Sequence, residues 1–279
     1  MPIYDQSYRH YAGERLARGH AWMVITRVGL RTFFARRAFL GLLLLSWMPF
    51  LIRAVQIYAA ANLPQASFLA PTPGTFRQFL GQQDIFVFFM TVYVGAGLIA
   101  NDRRANALQI YLSKPLGRGE YVFGKMAILM TFLLMVTWLP AIMLLLVQVL
   151  FTGSVTFFRD NLFLFPAITT FCFLEALVGA ASMLALSSLS NNSRYVGILY
   201  AALMFFSQAI FVVLKAATGD VRWSLLSLPN DVIGLGDAIF RQGSDLSTEW
   251  PMALLAIVAL LIVSGVILER RVRGVEVVT

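Results

Sequence analysis

The sequence predicts an all-α polytopic membrane protein: six transmembrane helices preceded by an amphipathic helix in the membrane interface. Three observations predict it. Of 279 residues, 59% are hydrophobic and 13% charged, about half the charged fraction of an ordinary soluble domain. Six apolar runs are each long enough to cross a hydrocarbon core of about 30 Å at about 1.5 Å per residue. Lysine and arginine are sorted unevenly among the segments between those runs. The net charge of +8 is therefore read as topology, with membrane lipid as the surroundings and no nucleic-acid partner expected.

Residues 1–13 carry Tyr4, Tyr8 and Tyr11 and are expected to form a loosely held tail. From Glu14 to Arg37 the spacing is helical. Ala21, Ile25 and Val28 share one side, Arg27 and Arg31 fall on another, and Trp22, Phe33 and Phe34 lie nearby. Arginine on one face with aromatic residues beside it suits an interfacial helix. Residues 1–37 are thus read as a tail and interfacial helix, and 38–279 as a six-helix transmembrane domain. The first apolar run begins near Ala38, behind seven arginines and with no small-residue cleavage site after it, so the first span is expected to stay in the mature protein.

By hydropathy the spans lie near 38–60, 84–101, 126–151, 162–186, 195–214 and 250–268. Pro49 and Pro140 are expected to kink the first and third, and the polar hinge Ser187 to Arg194 divides the fourth from the fifth. With both termini inside, the inner segments hold sixteen lysines and arginines against five outside, Arg53 lying within a span. That bias puts both termini and residues 102–125 in the cytoplasm, in a plasma (inner) membrane. The outer loop 215–249 contains a helix start at Pro229, with Asn230 and Asp231 in its first turn and Val232, Leu235, Ile239 and Phe240 on its apolar side.

Residues 97–126 form the longest polar interruption between two very apolar segments. A membrane helix stops at Asp102, Arg103 and Arg104, and an amphipathic turn follows with Leu108, Tyr111 and Leu112 at helical spacing. Pro115 and Gly117 break it, and a second short run from Arg118 to Lys125 leads into the next span. Gly119 to Met126 matches a phosphate loop up to its last position, where a magnesium-binding Ser or Thr is replaced by Met126. No buried strand precedes it, and Tyr121, Val122 and Phe123 are bulky for a phosphate cradle, so the expected form is a helix start at the membrane surface.

Enzyme chemistry is not expected. His10 and His20 both precede the first span, whereas a haem bundle needs axial histidines within it. H-E-x-x-H is missing, no span offers a Ser with a His or Lys base, and the single cysteine, Cys172, allows neither a disulfide within the chain nor a cysteine-based metal site. No cofactor or metal is expected. Two charges, Arg53 and Glu175, fall inside spans at similar depth and are expected to interact. Gly95, Gly97, Ala176, Gly179, Ala180 and Ser182 offer small surfaces for close helix contact.

The connector resembles that of the permease subunits of type-2 ATP-binding-cassette (ABC) transporters. The residues that carry the resemblance are Gly97, Asp102 with Arg103 and Arg104, Leu108 to Leu112, Pro115, Arg118 with Tyr121, and Gly124 with Lys125. It extends to the plan of an interfacial helix, six spans and an outer helical insertion before the last. The chain looks most like permeases with short outer loops, such as those serving nitrous-oxide reductase maturation. The resemblance implies two permease chains, identical or different, paired into a twelve-helix pore. It also implies a separate ABC ATPase subunit bound through 102–125 and the N-terminal helix, with export as the direction. The outer loops are too small to hold a substrate domain. The rival reading is a secondary transporter or channel driven by an ion gradient, using Glu175 or Arg53 as the coupling charge; a non-transporting membrane scaffold is the third.

Overall fold

The computed structural model describes residues 21–63, 65, 70–107, 117–152, 156–243 and 250–272. These are mostly helical, with no strand among them, and include six helical stretches long and apolar enough to cross a membrane: Arg37–Asn62, Pro73–Arg104, Arg118–Phe151, Leu164–Leu189, Ser193–Thr218 and Trp250–Arg271. The helices are α1 (Ala21–Phe34), α2 (Arg37–Ser46), α3 (Met48–Asn62), α4 (Pro73–Met90), α5 (Ala100–Arg104), α6 (Arg118–Val136), α7 (Trp138–Thr152), α8 (Thr156–Asp160), α9 (Leu164–Leu189), α10 (Ser193–Thr218), α11 (Leu228–Ile239) and α12 (Trp250–Arg271). With alternating direction, α1, α5, the start of α6 and the end of α12 share one end of the bundle, and α11 lies at the other.

Both proline kinks are present. The first span breaks at Trp47 and the third at Thr137, each within a turn of the proline whose missing N–H and ring disturb the carbonyl four residues back. The second span starts at Pro73, eleven residues earlier than hydropathy indicates. Thr72 and Thr75 form a reciprocal cap, the Thr72 N–H donating to Thr75 Oγ1 at 3.1 Å, with Pro73 in the first turn. Residues 77–84 are polar enough to hide this stretch from a hydropathy window. Phe76 just before it and Phe79 and Leu80 within it are nevertheless completely buried.

Near its other end the second span loses regular geometry. Thr91–Gly95 forms a π-helical turn, and regular helix resumes only at α5. The amide groups freed by this break would be costly if left unpaired. Ser187 of α9 meets them: its Oγ accepts from the N–H of Ile99 (3.2 Å) and Ala100 (3.0 Å) and donates to the carbonyl of Ala96 (2.9 Å). One hydroxyl thus splices the irregular segment onto the central helix.

The fourth span, α9, is the most enclosed of the six. It packs on α6, α7, α10 and α12, with Ala176, Ala180 and Ser182 buried on its surface. Gly95 permits a close crossing, since a Cβ there would lie 2.4 Å from Met183 Cγ. Gly97 serves its own turn instead: the space beside it is filled by the side chain of Asn101.

The helix α1 ends at Phe34, three residues before the end of the 14–37 run expected. It packs along α6, where Thr26 Oγ1 lies 3.2 Å from the Gly124 carbonyl and Trp22 meets the Phe123 ring at 5.0 Å. Its faces differ from the expected ones: Ile25 is packed, but Val28 is exposed on the side of Val24 and Arg31. The contact row is Trp22, Ile25, Gly29 and Phe33, set by the groove of α6 that Gly124 opens. The expected tail 1–13 and the first part of the run from Glu14 lie outside the described residues.

The helix expected in the 215–249 loop is present as α11, with Pro229 in its first turn. Its amino end is capped by Ser227, whose Oγ accepts from the Asn230 N–H at 3.4 Å. Asp231 is buried in that first turn, and burial pushes its carboxyl up to about 7. A folded-state value above the unfolded one means that the folded chain keeps a proton the unfolded chain has lost. Stability from this group is therefore highest below about pH 4 and declines as pH rises to about 7. Asp231→Asn should flatten that decline. Thermal unfolding in detergent at pH 4.5 and pH 7.5 should show a smaller difference for the variant than for the parent, and equal differences would exclude Asp231 as the cause.

Candidate functional site

Two clusters of polar side chains stand out, one at each level of the bundle. The first lies at the base of the connector. Asp102 is on α5 at the end of the second span, and Tyr121 and Lys125 are one turn apart on α6 at the start of the third. The Tyr121 hydroxyl donates to Asp102 Oδ2 at 2.7 Å, and Lys125 Nζ lies 2.7 Å from the same oxygen. Lys125 also lies 5.5 Å from the centroid of the Tyr121 ring. Spacing of three or four residues puts Tyr121 and Lys125 on one face of α6. The helix start at Gly117, tied by Glu120 Oε2 accepting from the Gly117 N–H at 3.1 Å, sets the register of that face.

The remaining connector residues divide. Arg103 is half-buried, with Nη1 enclosed and lacking a hydrogen-bond partner, while Arg104 and Arg118 are exposed. Asn106 takes a left-handed conformation with φ of 52°, which ends α5 as asparagine can. Leu108, Tyr111, Leu112 and Pro115 lie outside the described residues. Gly119 to Met126 is continuous helix within α6, so its amide groups serve helical hydrogen bonds and do not form a phosphate cradle. A groove of about 910 Å³ beside the cluster is bounded by α1, the second span and α10, with Arg36, Asp102, Lys125 and Arg194 among its walls.

The second cluster lies inside the bundle. Glu175 on α9 and Asp84 on α4 are each eleven residues from the start of their helices, about 16 Å along the axis. Their carboxyl groups interact with one another, and the Arg77 guanidinium acts on both. Arg77 is itself paired: its Nε lies 2.9 Å from Asp237 Oδ1, it donates from Nη2 to the Ile233 carbonyl at 3.2 Å, and it sits 5.1 Å from the centroid of the Phe171 ring. Gly236 makes room for this arrangement, since a Cβ there would lie 2.8 Å from Arg77 Nε. Asp84 and Glu175 face a cavity of about 470 Å³ walled mainly by aromatic and aliphatic side chains.

The expected Arg53–Glu175 pair is not formed. Arg53 donates to Gln56 Oε1 at 2.8 Å and to Gln82 Oε1 at 3.4 Å. Depth along the bundle was legible by counting residues, but azimuth was not. Gln82 and Asp84 are two residues apart on α4, which places them about 200° apart around its axis. Arg53 approaches α4 from one side and Glu175 from the other. Asp84, Arg77 and Asp237 escaped sequence reasoning because the second span was started too late, leaving Arg77 and Asp84 at or beyond its edge. Protein-family models and curated protein sequences give no match to this chain.

Proposed function

We propose that the chain is the transmembrane permease subunit of an ABC transporter, forming part of an export pathway and driven by a separate ATPase subunit. The observation that carries this reading is the Asp102 cluster. It fastens the end of the second span to the start of the third on the two sides of the 105–117 connector. A partner gripping the connector would then move both helices together. The charge asymmetry supports a cytoplasmic connector, and the packing of α1 on α6 supports a second surface beside it, with α1 in the interface. A second permease chain would complete the pathway, and the exposed aromatic face of α10, with Phe205 and Phe206, suits such a contact.

Purification of the tagged chain from native membranes should bring an ATPase with it. A cysteine at position 109, in a chain with Cys172→Ser, should resist an impermeant thiol reagent in intact cells and react after lysis. No ATPase among the copurifying proteins, or labelling in intact cells, would overturn the reading. The Asp84–Glu175 pair favours a second reading, a carrier driven by an ion gradient. Transport by the chain alone in liposomes under a proton or sodium gradient would establish it.

A further inference from the structure

The cavity between α4, α9, α10 and α11 is lined by two acidic side chains that interact with one another. Three ionisable residues line it: Arg77, Asp84 and Glu175. Arg77 is already committed to Asp237, which leaves two carboxyl groups facing the space. Glu175 is only 8% exposed, and its Oε2 has no hydrogen-bond partner. Among the described residues no cation lies within ion-pair distance of Glu175 or Asp84. A carboxylate held this way in a membrane is costly unless it takes up a proton or a positive charge comes to it.

The walls indicate what that positive charge is attached to. A volume of about 470 Å³ is in the range of small-molecule pockets, about 300–1,000 Å³, and far exceeds the needs of an inorganic ion. Phe88 stacks on Tyr200 with centroids 5.9 Å apart and meets Phe205 at 5.4 Å, so one wall is a continuous aromatic surface. Aromatic faces attract cations, most strongly where water is excluded. The neighbouring ring of Phe171 already has a guanidinium over it. An anion would meet two carboxyl groups, and a neutral apolar guest would leave Glu175 unmatched.

We infer that this cavity is a binding site for a bulky lipophilic organic cation, its charge met by Asp84 and Glu175 and its apolar body by the Phe88–Tyr200 wall. That such a cation is the transported substrate rests on the permease reading; the binding itself does not. The test uses the full-length chain purified in detergent, without an ATPase, titrated with radiolabelled tetraphenylphosphonium in a proximity assay. One saturable site is expected. The paired change Asp84→Asn with Glu175→Gln should weaken it at least tenfold, and Phe88→Leu should weaken it several-fold. Tetraphenylborate, of the same shape and opposite charge, should not compete. The inference is overturned by absence of saturable binding to the monodisperse parent chain, by unchanged affinity in a folded amide variant, or by equally potent competition from tetraphenylborate. If the paired variant does not fold, Glu175→Gln alone, Phe88→Leu and the tetraphenylborate comparison decide by the same criteria. Failure to copurify an ATPase would not alter any of these results, and loss of tetraphenylphosphonium binding would not alter copurification.

Discussion

Arg77→Leu should destabilise the folded chain by about 3 kcal/mol or more, because removing one partner of an enclosed ion pair leaves the other charged and unpaired. The side chains of Arg77 and Asp237 are only 9% and 17% exposed. The guanidinium also donates to the Ile233 carbonyl and covers the Phe171 ring. These contacts tie α4 in the second span to α11 in the 215–249 loop, through residues 160 apart in sequence. Asp237→Leu should cost less, since Arg77 keeps the Ile233 carbonyl and the Phe171 face. The combined change should recover most of the loss, as replacement of a whole buried pair by apolar residues often does. Recovery should remain incomplete, because Arg77 also acts on Asp84 and Glu175. Thermal unfolding of all four proteins in one detergent gives the coupling. Additive losses would show that the pair does not hold α11 in place.

The six spans and the helix in the outer loop were legible because each depends on local sequence: an apolar run of sufficient length, or a proline and a polar cap at a helix start. Pro49 and Pro140 likewise act within one turn of themselves. The features that required the structure depend on which side of a helix meets its neighbour. Gln82 and Asp84 look equivalent in sequence, yet one serves Arg53 and the other Glu175. Ser187 reads as part of a polar hinge, but its hydroxyl completes the backbone of a different span 88 residues away. Arg77 reads as an outer-loop charge contributing to orientation, and is instead enclosed against Asp237. Hydropathy averages along the chain, so a helix that hides its polar residues against other helices is cut short. Of the connector, the sequence offered ten residues, with Asp102, Tyr121 and Lys125 among them and nothing to group those three. Their convergence on one carboxylate oxygen follows from the antiparallel pairing of two spans, which the pattern of residues alone does not specify.

On the permease reading, Asp102→Ala should lower ATPase copurification at least tenfold and bring transport to background, while the chain still inserts and elutes as a single species. The carboxylate accepts one hydrogen bond and one ion pair at the same oxygen, and hydrogen bonds to charged groups contribute about 1.5–3 kcal/mol each. Losing both frees the end of the second span from the start of the third, and every tenfold rise in the detached population corresponds to about 1.4 kcal/mol. On the permease reading, a partner gripping the connector would then move a loose loop in place of two helices. Asp102→Asn should retain the bond from Tyr121 and lose the ion pair, giving an intermediate effect. Lys125→Ala should weaken coupling less than Asp102→Ala. Adding it to Asp102→Ala should do little further harm, because the two changes break one shared contact. Nucleotide affinity of the assembled complex should be the same with and without Lys125→Ala, since the Lys125 ammonium faces Asp102 from within a continuous helix. Copurification and turnover equal to the parent in a well-folded Asp102→Ala chain would remove this cluster from the coupling path. Loss of nucleotide affinity with Lys125→Ala would place the lysine at the nucleotide and overturn its assignment to the cluster.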